Sequence, residues 1–285
     1  MKTSTVETRV FGKTGEKITQ VGLGGEGILR TFGQTEGAQS VIREAIDQGI
    51  RYFDSARVYA GSEEYYGTIW SQNPETRAGV FQASKSASRK REGAWADLEK
   101  TLSAMGITSL NLWQIHDVRT EEDLQTIAGP GGAMEAFVEA KASGKTRYIG
   151  VTGHHDPHIL TMAVREWPVD SVMMPINPVE GALSGFLDLT LPAAREKKIA
   201  VIGMKILGAA HYILPELEMT ADLLIRYALS QDISVAIVGC STPQHVQTLV
   251  QAGREFEPLS LELQQEVVER FRPYTGQLAY YRGAV

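Results

Sequence analysis

The stretch Arg51-Tyr-Phe-Asp-Ser-Ala-Arg-Val-Tyr59 decides how the chain is read. Its first part, Ile50-Arg-Tyr-Phe53, has the length and apolar character of a short strand, and it stops where Asp54 and Ser55 begin. Asp54 is therefore expected at the C-terminal end of a strand, with Tyr59 in the loop beyond it. Two later runs stop in the same way: Val80-Phe-Gln-Ala-Ser84 leads into Lys85, and Leu110-Asn-Leu-Trp-Gln-Ile115 leads into His116. The C-terminal ends of strands are where a βα protein keeps its chemistry. A carboxylate, a phenol, an amine and an imidazole are thus expected on one face, from three consecutive strands.

On either side of this stretch, short apolar runs alternate with amphipathic segments. Thr8 to Ile18, with Gly12-Lys-Thr-Gly15 in the middle, predicts a β-hairpin across the base. Ile18 to Leu23 predicts the first strand, followed by a loop from Gly24 to Gln34. A helix is then expected from about Thr35 to Gln48, with Val41, Ile42, Ala45 and Ile46 on one face and Gly49 as its stop. Ser62-Glu-Glu predicts a capped helix start, the hydroxyl accepting an orphan amide and the carboxylates suiting the N-terminal dipole. Lys90 to Met105 predicts the third helix, with Trp95, Leu98 and Leu102 inward and Gly106 at its end. The polar segment from Asp117 to Pro130 reads as a connection to a helix over Gly132 to Ser143, with Ala133, Ala136, Phe137 and Ala140 inward.

Strands at Arg147 to Thr152, Ser171 to Met174, Ile199 to Met204 and Val235 to Val238 follow. Asp156-Pro157 and Thr242-Pro243 open helices, another begins near Thr220, and one ends in Arg195-Glu-Lys-Lys198. A helix over Ser260 to Phe271 and a tail with Tyr274, Tyr280 and Tyr281 remain. The runs lack strict alternation, as expected of parallel strands covered on both faces. A (β/α)8 TIM barrel takes about 250 residues, and 285 are present. The predicted fold is therefore one domain over residues 1–285, an α/β TIM barrel with an N-terminal β-hairpin plug and an extra C-terminal helix and tail.

The composition, 43% hydrophobic and 22% charged, is that of a globular protein, and a net charge of -6 argues against nucleic-acid binding. Cys240 is the one cysteine, so no internal disulfide forms, and a cytoplasmic location is expected. Met1 to Arg9 carries a charge or hydroxyl at nearly every step, unlike a signal peptide, and no apolar run approaches the roughly 18 residues needed to span a bilayer.

The motifs Asp54-Ser-Ala-Arg-Val-Tyr59, Ser84-Lys85 and Gln114-Ile-His116-Asp117 resemble the tetrad motifs of the aldo-keto reductases. The resemblance runs from Val21-Gly-Leu-Gly24 through Tyr148-Ile-Gly-Val-Thr152 to Ile237-Val-Gly-Cys-Ser-Thr242. It implies a single (β/α)8 barrel that moves hydride between a nicotinamide dinucleotide and a small carbonyl or alcohol, as a monomer or weak homo-oligomer. It also implies catalytic roles for Asp54, Tyr59, Lys85 and His116.

Those residue types suit the chemistry. A carbonyl accepting hydride gathers negative charge on oxygen and then needs a proton, so the site needs an acid with its pKa drawn toward neutrality. Tyr59 is the candidate acid. A phenol ordinarily titrates near about 10, and the Lys85 ammonium, held by Asp54, is expected to lower that value. His116 can donate to the same oxygen.

For the cofactor, NADP with NAD as an alternative, the resemblance implies contacts at Gly24, Thr152, Asn177, Met204, Lys205, Gly239, Ser241, Thr242 and His245. Gly239-Cys-Ser-Thr-Pro243 matches the loop whose amides and helix N-terminus hold the adenosine phosphate. The basic residue that grips a 2′-phosphate in members preferring NADP is here His245. Met204-Lys205 stands where an aromatic ring is usual, and Thr152-Gly153 stands in place of a Ser-Asn pair.

Other readings compete. Gly22-Leu-Gly-Gly-Glu-Gly27 fits the dinucleotide fingerprint GxGxxG, yet Ile28 to Gly33 separate it from any helix, and eight βα units exceed a Rossmann fold. His154-His155-Asp156-Pro157-His158 invites a metal, but adjacent loop histidines rarely converge on one ion, and Asp156 is a cap; no metal is expected. Lys85 could instead serve as the nucleophile of a Schiff-base lyase. The fold also occurs in nicotinamide-binding regulatory subunits of potassium channels.

Overall fold

The computed structural model describes residues 5–283, so the first four residues of the Met1 to Arg9 segment and the last two of the tail lie outside it. Two short strands, β1 (Thr8–Val10) and β2 (Lys17–Thr19), pair antiparallel as the predicted hairpin. Eight parallel strands then close into a barrel: β3 (Val21–Gly27), β4 (Tyr52–Phe53), β5 (Phe81–Ser86), β6 (Leu110–Ile115), β7 (Thr146–Thr152), β8 (Ser171–Pro175), β9 (Ala200–Met204) and β10 (Val235–Cys240). Each pairs with its sequence neighbour, and β10 closes on β3. Helices cover the outside, as the apolar spacing predicts: Val41, Ile42 and Ala45 are buried in Thr35–Asp47, and Leu98 and Leu102 in Arg91–Met105.

Alternation divides the core in two. One side chain in two along each strand points outward and packs under the helices; the other points into the barrel. The lower interior is filled by Tyr52, Phe81, Leu112 and Ile202, with Phe11 of the hairpin pushed up among them. Phe11 is fully buried, its ring centroid 5.0 Å from that of Phe81, and burying a phenylalanine stabilises by about 1.5–3 kcal/mol. Gly12 lets the turn press this close: with φ at +54, a Cβ there would stand 2.4 Å from the Ala200 amide nitrogen.

Four boundaries differ from the sequence reading, each for a local reason. Ile18 and Thr19 pair with Arg9 and Thr8 in the hairpin, so the first barrel strand starts at Val21; it continues to Gly27 because β10 runs alongside as far as Cys240. Lys85 lies within β5 rather than after it. Ser62 is not a cap: Gly61 in the left-handed conformation begins that helix, and the buried Ser62 hydroxyl instead accepts from Ser55 Oγ at 2.8 Å. Asp117 to Pro130 contains a helix, Glu121–Ala128, whose cap Thr120 accepts from the Asp123 amide. Among the described residues, no helix is long and apolar enough to cross a membrane.

Candidate active site

Alternation places the buried charges. Phe81 and Ala83 line the barrel interior, so Lys85, two further along β5, points inward above them; Asp54 follows Tyr52 in the same way. Both are about 1% exposed. Lys85 Nζ lies 2.6 Å from Asp54 Oδ2 and also donates to the Ser55 carbonyl at 2.8 Å. The loop after β4 turns back through a bond from the Tyr59 amide to the Ala56 carbonyl at 2.9 Å, setting the Tyr59 ring against Gly25. Lys85 Nζ is 4.8 Å from the Tyr59 ring centroid. The His116 ring stands edge-on to Tyr59 at 5.8 Å and 84°, its backbone N–H donating a hydrogen bond to the Ser86 carbonyl. The four residues from three strand ends are therefore together.

Their electrostatics differ from the expectation in one respect. Burial pushes the Tyr59 phenol well above its ordinary value; the Asp54 and Glu26 carboxylates push the same way, and Arg30 pulls it back. The net lowering expected from Lys85 is not seen, because burial, joined by these carboxylates, outweighs a cation 4.8 Å from the ring centroid. Burial also raises the Asp54 carboxyl, only partly offset by Lys85. His116 is lowered to about 3 by burial and then by the Lys85 charge, so its ring is neutral at physiological pH.

A cavity of about 560 Å³ opens beside Tyr59 and runs toward the ends of β3, β9 and β10. Gly24, Met204, Lys205, Gly239, Ser241 and His245 line it, together with Asp54 and Tyr59. Lys85 and His116 do not line it. Three of the predicted cofactor contacts are elsewhere. The Thr152 hydroxyl accepts from the Asp117 amide at 2.8 Å. Asn177 caps a helix turn through the Glu180 amide and donates to the Lys205 carbonyl and the Tyr281 hydroxyl, both at 3.1 Å. Thr242 caps Pro243–Arg254 by accepting from the His245 amide. Each polar group is used by the fold.

The tail packs over the barrel top. Tyr281 donates to Glu180 Oε1 at 2.7 Å, Arg282 pairs with the same fully buried Glu180, and Tyr280 joins the cavity wall. His154 is bound between the Tyr281 carbonyl and Asp117, and Asp156 caps its helix as predicted. Among the described residues, no three His, Cys, Asp or Glu side chains form a group that could hold a metal.

Glu26 and Arg30, also on the wall, were not singled out by sequence reasoning. Their spacing of four gives an ordinary surface pair, and only the extension of β3 past Gly24 brings them to the cavity.

The sequence model of the Aldo/keto reductase family matches residues 20–212. The chain belongs to the aldo/keto reductase family. Among relatives of this aldo/keto reductase, the L-galactose dehydrogenase of Arabidopsis thaliana is 26% identical, across 90% of this chain and 91% of that protein. An aldo-keto reductase of Bacillus halodurans in its holo form superposes with a TM-score of 0.76 at 19% identity, covering 93% of this chain and 96% of its own. One from Klebsiella pneumoniae in complex with NADPH gives 0.74 at 20% identity, covering 94% and 95%. The fold is shared well beyond the residues that the family model matches.

Proposed function

We propose that this oxidoreductase moves hydride between NADPH, or secondarily NADH, and the carbonyl of a small aldehyde or ketone, with Tyr59 exchanging the proton. The observation that carries this reading is the phenol on the cavity wall, backed by the buried Asp54–Lys85 pair and a neutral His116.

The cavity suits such a nucleotide. Lys205 supplies positive charge for phosphates, and the twelve-residue helix Pro243–Arg254 presents its first turn with Ser241 and His245 on the wall. Met204, Ile225 and Leu249 give apolar surface for flat rings. Lys205, Ser241 and His245 would hold the nucleotide, which supplies the hydride when bound.

Burial keeps Tyr59 protonated and so loaded for reduction. Its hydroxyl gives the proton to the carbonyl oxygen, while the neutral His116 ring donates a hydrogen bond to that oxygen. Asp54 fixes Lys85, so that the ammonium faces the phenolate left behind. The Schiff-base alternative fits less well: Lys85 is about 1% exposed, engaged by two oxygens, and absent from the cavity wall.

The test is a fluorescence titration with NADPH and NADH on the wild type and Tyr59→Phe, followed by NADPH oxidation with a panel of small aldehydes and ketones. Both proteins should bind, NADPH more tightly, and Tyr59→Phe should lose about 10²–10⁴-fold in turnover. Failure of both nucleotides to bind, or full turnover by Tyr59→Phe, overturns the reading.

A further inference from the structure

The charges around Tyr59 fall into two kinds. Asp54 and Lys85 are buried and fixed on each other at 2.6 Å, and Asp117, from the loop after β6, is paired with Arg119 at 2.6 Å. His116, from the same loop, is uncharged at physiological pH. Glu26 and Arg30, which leave the end of β3, are different: they pair at 2.7 Å, and each side chain is about half exposed. The Arg30 guanidinium carbon is 5.1 Å from the Tyr59 ring centroid, and both residues sit on the cavity wall. An exposed pair of this kind contributes about 0–1 kcal/mol to folding, so the fold gives little reason for it. Beside a phenol that burial holds protonated, two opposite and unburied charges are positioned to act on that phenol instead.

We propose that Arg30 and Glu26 are a matched pair of tuning residues for proton exchange at the Tyr59 hydroxyl, Arg30 promoting release of the proton and Glu26 restraining it. The inference rests on the reading of Tyr59 as the proton-exchanging group. In alcohol oxidation the hydroxyl proton of the substrate passes to Tyr59 Oη, which must begin as the phenolate. The hydride leaves the carbon that bears this hydroxyl for the added oxidised nucleotide, and the electron pair left on the oxygen forms the carbonyl double bond to that carbon. Below the phenol's midpoint the rate follows the phenolate fraction, so one pH unit of displacement is tenfold in rate. Arg30 and Glu26 act on Tyr59 in the opposite senses that their charges require.

The experiment uses the full chain with NADP+ and a primary alcohol that it oxidises, following kcat/KM against pH in Arg30→Gln, Arg30→Lys, Glu26→Gln and the double Gln variant. The nucleotide Kd is measured alongside by fluorescence quenching. Arg30→Gln should lower the rate at fixed pH about three- to tenfold, equivalent to a displacement of about half to one unit for a solvent-screened charge. Glu26→Gln should raise the rate, Arg30→Lys should restore most of the Arg30→Gln loss, and the double variant should return near wild type, all with Kd within about twofold. Shifts of the same sign in both single variants overturn the proposal. So does a pH profile that stays fixed while KM rises only for carboxylated or phosphorylated substrates, or a tenfold rise in nucleotide Kd; Arg30 would then be a contact for an anion of the substrate or the cofactor. If Tyr59→Phe proves inactive with nucleotide binding intact, such failures sink this inference alone. If Tyr59→Phe is fully active, the functional reading falls first.

Discussion

Asp54→Asn is the substitution whose cost the structure fixes most directly. It keeps the side chain's shape and one oxygen acceptor but leaves the Lys85 ammonium, about 1% exposed, with only neutral partners, one of them the Ser55 carbonyl at 2.8 Å. Breaking a buried pair from one side costs about 3–5 kcal/mol, and the retained amide oxygen argues for about 3. At roughly 2–4 °C per kcal/mol for a protein of this size, the melting temperature should fall by about 6–12 °C. Lys85→Met should cost less, because burial already raises the Asp54 carboxyl and the lone acid can take up a proton. The double variant Asp54→Asn, Lys85→Met buries no charge and should melt at or above the wild type.

The sign with pH follows from the same raised carboxyl. Between the ordinary carboxylate value and the raised one, the folded protein binds the proton that the unfolded chain has lost, so this group's contribution to stability falls as pH rises through that window. Without Lys85 the window reaches higher, so the deficit of Lys85→Met should shrink on going from pH about 8 to about 5. Thermal unfolding by circular dichroism at both pH values reads all of this. A melting point for Asp54→Asn within about 2 °C of wild type, or a double variant weaker than either single one, would refute the argument.

Two further substitutions probe the frame of the site. Gly25→Ala puts a Cβ 2.6 Å from Tyr59 Cε2, so the ring must move; kcat should fall about tenfold or more while nucleotide Kd changes little, and an unchanged kcat would show that the ring's seat is not critical. Tyr281→Phe removes the hydroxyl shared by Glu180 and Asn177 and should cost about 1–3 kcal/mol, with faster amide exchange from Leu278 to Gly283; wild-type exchange there would show that the hydroxyl does not hold the tail.

The barrel was legible because its eight strands, and the helices between most of them, announce themselves locally, whereas the helix Glu121–Ala128 hid in a polar segment. Asp54, Lys85 and His116 were legible because each follows directly on an apolar run whose alternation fixes its direction. What escaped depends on long-range pairing. Asn177 was expected at the cofactor, and only the fold shows its amide divided between Lys205 and a tyrosine 104 residues away. The pairing of Arg282 with Glu180 likewise has no local signal. The phenol's electrostatics escaped for a related reason: residue types told of a cation near Tyr59, but not of how deeply the fold buries the phenol or that Glu26 stands close to it.

The aromatic stopper at the lower end of the barrel has a bearing on traffic. With Phe11 seated on Phe81, and Phe81 stacked on Tyr52 at 5.4 Å, aromatic rings fill the lower end of the barrel interior among the described residues. On the proposed reading, two reactants that meet at Tyr59 would both use the cavity beside it, and the one that settles deeper would arrive first and depart last. A queue of that kind would let the pace of the whole cycle be set by how quickly the cavity clears.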